Sequence, residues 1–246
     1  MQHLRGKNRK DYERSMLLLT LAALVPPIIL MVIIYNKDRT EKEPIGLILK
    51  LLFAGALSTI PAGIIEYFCE GALLPAAGLQ QGTLLYQVVF NFLVVAWTEE
   101  GVKHFALKRI TWTHPAFDYT FDAMVYTVAV GLGFAMAENI QYVFNYGLST
   151  AILRALTAIP GHCIFGIHMG YFYGLSRFHL THFRPARSRG YMFCSMLIPV
   201  LLHGTYDLMA GSQNPMLEIL FFAYLVVMDI VAVITVNRFQ KKDLHI

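Results

Sequence analysis

Four groups of residues in this chain have the types and spacing that acid–base chemistry requires. The first is Glu99-Glu100-Gly101-Val102-Lys103. On a helix Lys103 stands at i+4 from Glu99 and i+3 from Glu100, so one ammonium can pair with both carboxylates. A carboxylate desolvated beside a like charge is a candidate general base for a water molecule. The second is His162 in PGHCIFGIHMGYFYG, where it begins an i+4 stripe continuing through Gly166, Gly170 and Gly174. Small residues in such a stripe let helices approach closely, so His162 is expected to face a neighbouring helix and not lipid. His168, six residues on, rotates away from that face. The third is His203-Gly-Thr-Tyr-Asp207, whose i, i+4 spacing stacks a carboxylate over an imidazole and can fix its tautomer. The fourth lies in FDAMVYTVAVGLGFAMAEN: Asp122 at one end, Glu138-Asn139 towards the other, with Thr127, Gly131 and Ala135 on the face of Glu138.

Each group also has a plainer reading. The first could be a salt bridge ending a helix, His162 a packed core histidine, and Glu138 a structural hydrogen-bond hub. The His203–Asp207 pair is the hardest to explain as packing.

The elements that must hold these groups are membrane spans. Of 246 residues, 56% are hydrophobic and 15% charged, where a soluble domain has about a quarter charged. Apolar residues come in blocks of roughly 20, enough at about 1.5 Å per residue to cross about 30 Å of hydrocarbon. The pattern predicts an all-α, polytopic helical bundle of about seven spans: 15–35, with a kink at Pro26-Pro27, then 45–68, with Glu66 near its far end, then 83–105, 121–144, 151–175, 191–209 and 215–236. A basic head (1–14), one transmembrane domain (15–236) and a short tail (237–246) complete the organisation. Ionisable groups at bilayer depth cost roughly 3 kcal/mol or more each on insertion scales, so they read as functional. Counting residues from the predicted ends puts His162 and His203 near mid-membrane, Glu99 and Glu100 towards one side, and Glu138 towards the other, which makes Glu138 hard to include in a shared site.

Basic residues cluster in alternate loops: Lys37, Arg39 and Lys42; Lys108 and Arg109; Arg177, Arg184, Arg187 and Arg189; and Arg238, Lys241 and Lys242 in the tail. The positive-inside rule then places these loops and the C-terminus in the cytoplasm of a multi-pass cell-membrane protein. Seven crossings put the head outside despite Arg5, Lys7, Arg9, Lys10 and Arg14; a re-entrant Pro-Pro segment would keep it inside. The net charge of +4 is small and dispersed, which speaks against a nucleic-acid partner. Cys69, Cys163 and Cys194 lack metal-ligand spacing and read as buried small hydrophobes.

In order along the chain, EEGVK at Glu99, FDAMVYTVAVGLGFAMAEN at Phe121, RALTAIPGH at Arg154 and LLHGTYD at Leu201 resemble the PrsW family of intramembrane proteases. The loop NKDRTEKEP is similar to that family's Lys-Asp…Glu-Pro segment. The resemblance, which extends to a wider group with CAAX prenyl proteases and bacteriocin-processing enzymes, implies Glu99, Glu100, His162, His203 and Asp207 as catalytic, with one glutamate activating water. It implies a membrane-protein substrate, a single-pass anti-sigma factor being the family's type. Ala123 and Thr98 depart from the family, which often has Gly and a third acid there. Lys103, Asp122, Glu138 and Asn139 are expected to contact substrate or support the site. The cofactor stays open between zinc, held by Glu100, His162 and His203, and none, since no HExxH is present. Other readings are a proton-coupled transporter or channel, which would use the same intramembrane acids but normally shows repeat symmetry absent here, a CAAX-type prenyl-protein protease, and a non-catalytic scaffold.

Overall fold

The structure, a computed structural model, describes residues 2–212 and 214–246, with side chains from Glu13 onward; those of Arg5, Lys7, Arg9 and Lys10 lie outside the described residues. It is helical throughout, with no strand among the described residues and one isolated antiparallel bridge between Tyr119 and His245. The helices are α1 (Gln2–Lys37), α2 (Ile45–Phe68), a π-helical turn (Cys69–Leu73) leading into the short α3 (Leu74–Ala76), α4 (Leu84–Val89), a second π-helical segment (Phe90–Ala96), α5 (Trp97–Thr111), α6 (Asp122–Tyr146), α7 (Leu148–Leu156), α8 (Ala158–Thr181), α9 (Pro185–Ala210) and α10 (Pro215–Lys241).

Six helical stretches of the described residues are long and apolar enough to span a bilayer. The seventh expected span exists as continuous helix over 84–111, but its second half carries Glu99, Glu100, Lys103, Lys108 and Arg109 and is correspondingly polar. Pro26 and Pro27 lie inside α1 without ending it, so the segment is one continuous helix. The expected fifth span is two helices. It breaks at Thr157 (φ −125°, ψ −70°), which places Pro160 in the first turn of α8, where proline is tolerated.

The bundle is organised around α6. Its apolar window is 78% buried, against 22% for α1 and 28% for α2 and α10. Helices α1, α2 and α8 pack directly on it. The outer helices instead turn Ile64, Ile219, Phe222 and Val233 outward, as a lipid-facing surface requires. Small residues make the central contacts. A Cβ on Gly133 of α6 would lie 2.0 Å from the Leu52 carbonyl oxygen, and one on Gly55 of α2 would lie 2.0 Å from that of Val130. The predicted stripe of α8 has the same use, with Gly170 and Gly174 against the backbone of Met124 and Thr120.

The loops fall on two faces. Lys37 donates to Asn237, Thr40 to Asp243, and the backbone N–H of Thr120 to the Leu244 carbonyl. The loops after α1 and α5 therefore share one face with the C-terminal tail. At the other end α1 packs Ala23 against Val143 and Ala151.

Because the helix backbones touch at Gly133, Gly133→Ala is expected to lower stability by about 1–3 kcal/mol or more, the range for overpacking, read as a lower Tm in detergent. Gly46→Ala, where an added Cβ meets nothing within 4 Å, is the control and should be neutral or stabilising by about 0.5–1 kcal/mol.

Candidate functional site

The π-helical segment widens the turn immediately before the acid pair and re-aims the residues that follow. Gly204 lets it come close to α9: a Cβ there would lie 2.5 Å from the Phe92 ring. Helix α5 then continues regularly, and its i+3 and i+4 spacing brings Lys103 Nζ 2.8 Å from Glu100 Oε1 and 2.9 Å from Glu99 Oε2. The ammonium also sits 4.0 Å above the centre of the Phe134 ring of α6. It completes its coordination by donating to His162 Nδ1 at 3.3 Å.

That contact fixes a tautomer. An ammonium only donates, so His162 Nδ1 must carry its lone pair and the ring proton must reside on Nε2. Nε2–H lies 3.0 Å from Glu138 Oε2 and donates to it. Glu138 Oε2 also receives Arg154 Nη2 at 2.7 Å, and Arg154 Nε donates to Asn139 Oδ1 at 2.9 Å. Asn139 in turn donates to the Ala23 carbonyl of α1.

His203 approaches from α9. Its Nδ1 donates to Glu100 Oε1 at 2.9 Å, its Nε2 lies 3.2 Å from Asp207 Oδ2 and 3.9 Å from Glu99 Oε2, and its ring stacks on Phe165 at 4.7 Å. Asp207 Oδ2 makes no hydrogen bond, so the predicted His203–Asp207 contact is a close approach and not an aligned bond. The two imidazole centres are 5.6 Å apart. Glu99, Glu100, Lys103, His162 and His203 are each 6% exposed or less.

The group borders a cavity of about 590 Å³ lined by Glu99, His162, His203, Asp207, Glu138 and Arg154, among others. Glu100 does not line it. An adjoining cavity of about 280 Å³ shares Glu66, Glu99 and Glu138.

All five residues expected to be catalytic are thus brought together, with Lys103 at their centre. Glu138, which counting by depth set apart, joins them: α6 is the central helix and passes beside α8, so depths counted from predicted span ends misjudged it. Asn139 supports the site only through Arg154. Asp122 does not belong to it. It accepts the backbone N–H of Asp118 and Tyr119 and lies with Asp38 and Glu43 at the face that carries the C-terminal tail. There burial pushes the Glu43 carboxyl up to about 7 and raises Asp38 above the usual carboxylate range. Sequence reasoning missed Arg154 and Glu66 as site residues. Glu66 carried a signal, an acid in an apolar span, and its Oε1 is buried without a partner. Arg154 was hidden by the apparent continuity of the fifth span.

One ligand atom each from Glu99, Glu100 and His162 lie within 4.8 Å of one another, and two carboxylates with an imidazole suit zinc. The expected set had His203 in place of Glu99; His203 instead turns Nδ1 to Glu100 and Nε2 to Asp207. The Lys103 ammonium bonds to all three candidate ligands, so a metal ion there must displace it.

The PrsW-protease family profile, described as PrsW family intramembrane metalloprotease, matches residues 43–235. A protein of Geobacillus kaustophilus named Protease PrsW is 34% identical over 186 residues, which is 76% of each chain. Its namesake from Oceanobacillus iheyensis is 31% identical over 93% of this chain and 99% of its own. That of Clostridioides difficile is 32% identical over 85% and 86%. No solved structure matches the chain.

Removing the central cation should leave two buried carboxylates facing each other. Lys103→Met is expected to cost about 3–5 kcal/mol, as for a broken buried pair. The double variant Lys103→Met/Glu100→Gln should recover part of that loss, because one of the two like charges is gone. Thermal unfolding of the two purified variants in one detergent measures both.

Proposed function

The chain belongs to the PrsW family of intramembrane proteases, and from that premise we propose that it hydrolyses a peptide bond of a membrane-protein substrate with a water activated by Glu99. The observation that carries this is the asymmetry of the acid pair: Glu99 lines the cavity with both histidines, while Glu100 is turned to Lys103 and His203. Lys103 holds Glu99 through Oε2, which leaves Oε1 for water.

In this reading Glu99 takes a proton from water as the oxygen attacks the scissile carbonyl. His203, protonated on both nitrogens, keeps Nδ1–H on Glu100 and presents Nε2–H to the developing oxyanion. The proton held by Glu99 then passes to the leaving amine, which restores the carboxylate. Glu100 acts as an anchor, fixing both the ammonium and the imidazole. Glu138 and Arg154 hold His162 in its Nε2–H tautomer.

The same donors support a second reading. Zinc bound by Glu99, Glu100 and His162 would supply Lewis acidity towards the carbonyl and a more acidic water; the description of the family as metalloproteases and the 4.8 Å clustering favour it. The resemblance of the four motifs supports a single-pass anti-sigma factor as substrate, and the alternation of basic loops supports a cytoplasmic C-terminus.

Glu99→Gln, Glu100→Gln and His203→Ala should each reduce cleavage of a co-expressed membrane substrate by about 100-fold or more while membrane insertion stays intact. Full cleavage in all three would overturn the proposal. Chelation of the purified protease separates the two chemistries: activity lost and restored by zinc assigns the metal, and activity unchanged assigns the glutamate alone.

A further inference from the structure

Asp38, Glu43 and Asp122 come from two motifs that the catalytic site does not use, the charged loop after α1 and the start of α6. Each is buried, with 1%, 4% and 1% exposure. One carboxylate oxygen of each lies within 4.8 Å of the others. Asp38 Oδ1 accepts the Thr40 N–H, Glu43 Oε2 accepts the Tyr126 hydroxyl, Asp122 Oδ2 accepts two backbone N–H groups, and the Glu43 and Asp122 carboxyls hydrogen-bond to each other, so that a bound cation would take the place of the proton they share. Asp38 Oδ2 is buried and has no partner at all.

No ion pair among the described residues reaches these three carboxylates. The nearest basic side chain of the loop, Lys42, spends its ammonium on the Tyr35 and Asp38 carbonyl oxygens. The contrast with the catalytic acids is direct, because there Lys103 supplies the cation from within the chain. Asp243 of the C-terminal tail adds a fourth acid nearby, but its oxygens are taken by Thr40, Thr120 and the Phe121 N–H.

We propose that Asp38, Glu43 and Asp122 bind a hard divalent cation of the calcium or magnesium class, at a structural site separate from the catalytic one. Carboxylate oxygen is the donor that such ions prefer, and oxygens on opposite sides of a calcium ion are about 4.8 Å apart at bond lengths of about 2.4 Å. The ion would tie the α1–α2 loop to the first turn of α6, the helix whose other end holds Glu138 against His162.

The test uses the full-length protein in detergent, stripped with a chelator and titrated with calcium or magnesium chloride by calorimetry. About one ion per chain should bind. Asp38→Asn removes the charge of the carboxylate whose Oδ2 has no partner, without changing its shape, and should weaken binding at least tenfold and abolish the cation-dependent rise in Tm. Glu99→Gln should bind the ion as the natural chain does. Absence of binding by both cations, or binding lost in Glu99→Gln and kept in Asp38→Asn, would overturn the proposal.

Discussion

An ammonium held between two carboxylates inside the bundle is the constraint on which the rest of this structure depends. Ions buried alone cost several kcal/mol each, and only close pairing offsets that cost. At an effective dielectric of about 20, opposite charges about 4 Å apart gain about 4 kcal/mol, and the two Lys103 contacts are shorter than that. The pairing also explains why two acids can sit side by side in a segment built to cross a bilayer. Lys103 is close to three of the site's groups at once, so the position of each becomes conditional on the others. Loss of the cation is therefore a different perturbation from loss of any one acid.

That constraint sets demands on packing. Helix α5 supplies the acids and the cation, but the imidazoles arrive on α8 and α9, and the ring beneath the ammonium arrives on α6. Hydrogen-bond distances between side chains from four helices require backbones closer than large residues permit. The small residues of α2, α6 and α8 meet that demand, and so does Gly204 beside His203. The stripe that begins at His162 thus has two uses on one face: its glycines set the helix separation, and its histidine occupies the space that separation creates.

Much of this was legible in the residues. Glu99, Glu100 and Lys103 declare their pairing through i+3 and i+4 spacing, which is local and follows from helix geometry alone. The inward face of His162 was readable from glycines on the same stripe. The all-α multi-span class follows from composition. What stayed hidden was non-local. Arg154 reaches Glu138 because the chain breaks at Thr157, and a local break inside an apolar run leaves little trace beyond Pro160. Depth failed for Glu138 because counting along each span ignores how neighbouring helices are offset. The polar half of the third span shows the limit of hydropathy, since the charged residues that it brings to the candidate site are those that dilute its apolar signal. Asp122 shared a motif with Glu138 but not a location, being about 24 Å away along α6 at about 1.5 Å per residue.

This last separation shows how α6 is used. Both of its ends carry an acid in a polar cluster, and the middle is packed on all sides. At one end Glu138 meets Arg154 and an imidazole; at the other Asp122 meets Asp38 and Glu43, with no ion pair to them among the described residues. The loop contacts at the Asp122 end, including those of the C-terminal tail through Asp243 and Leu244, hold the start of α6 in place. The candidate site rests on the acid pair and its lysine, and α6 carries Glu138 to it while separate polar contacts hold the opposite end of the same helix.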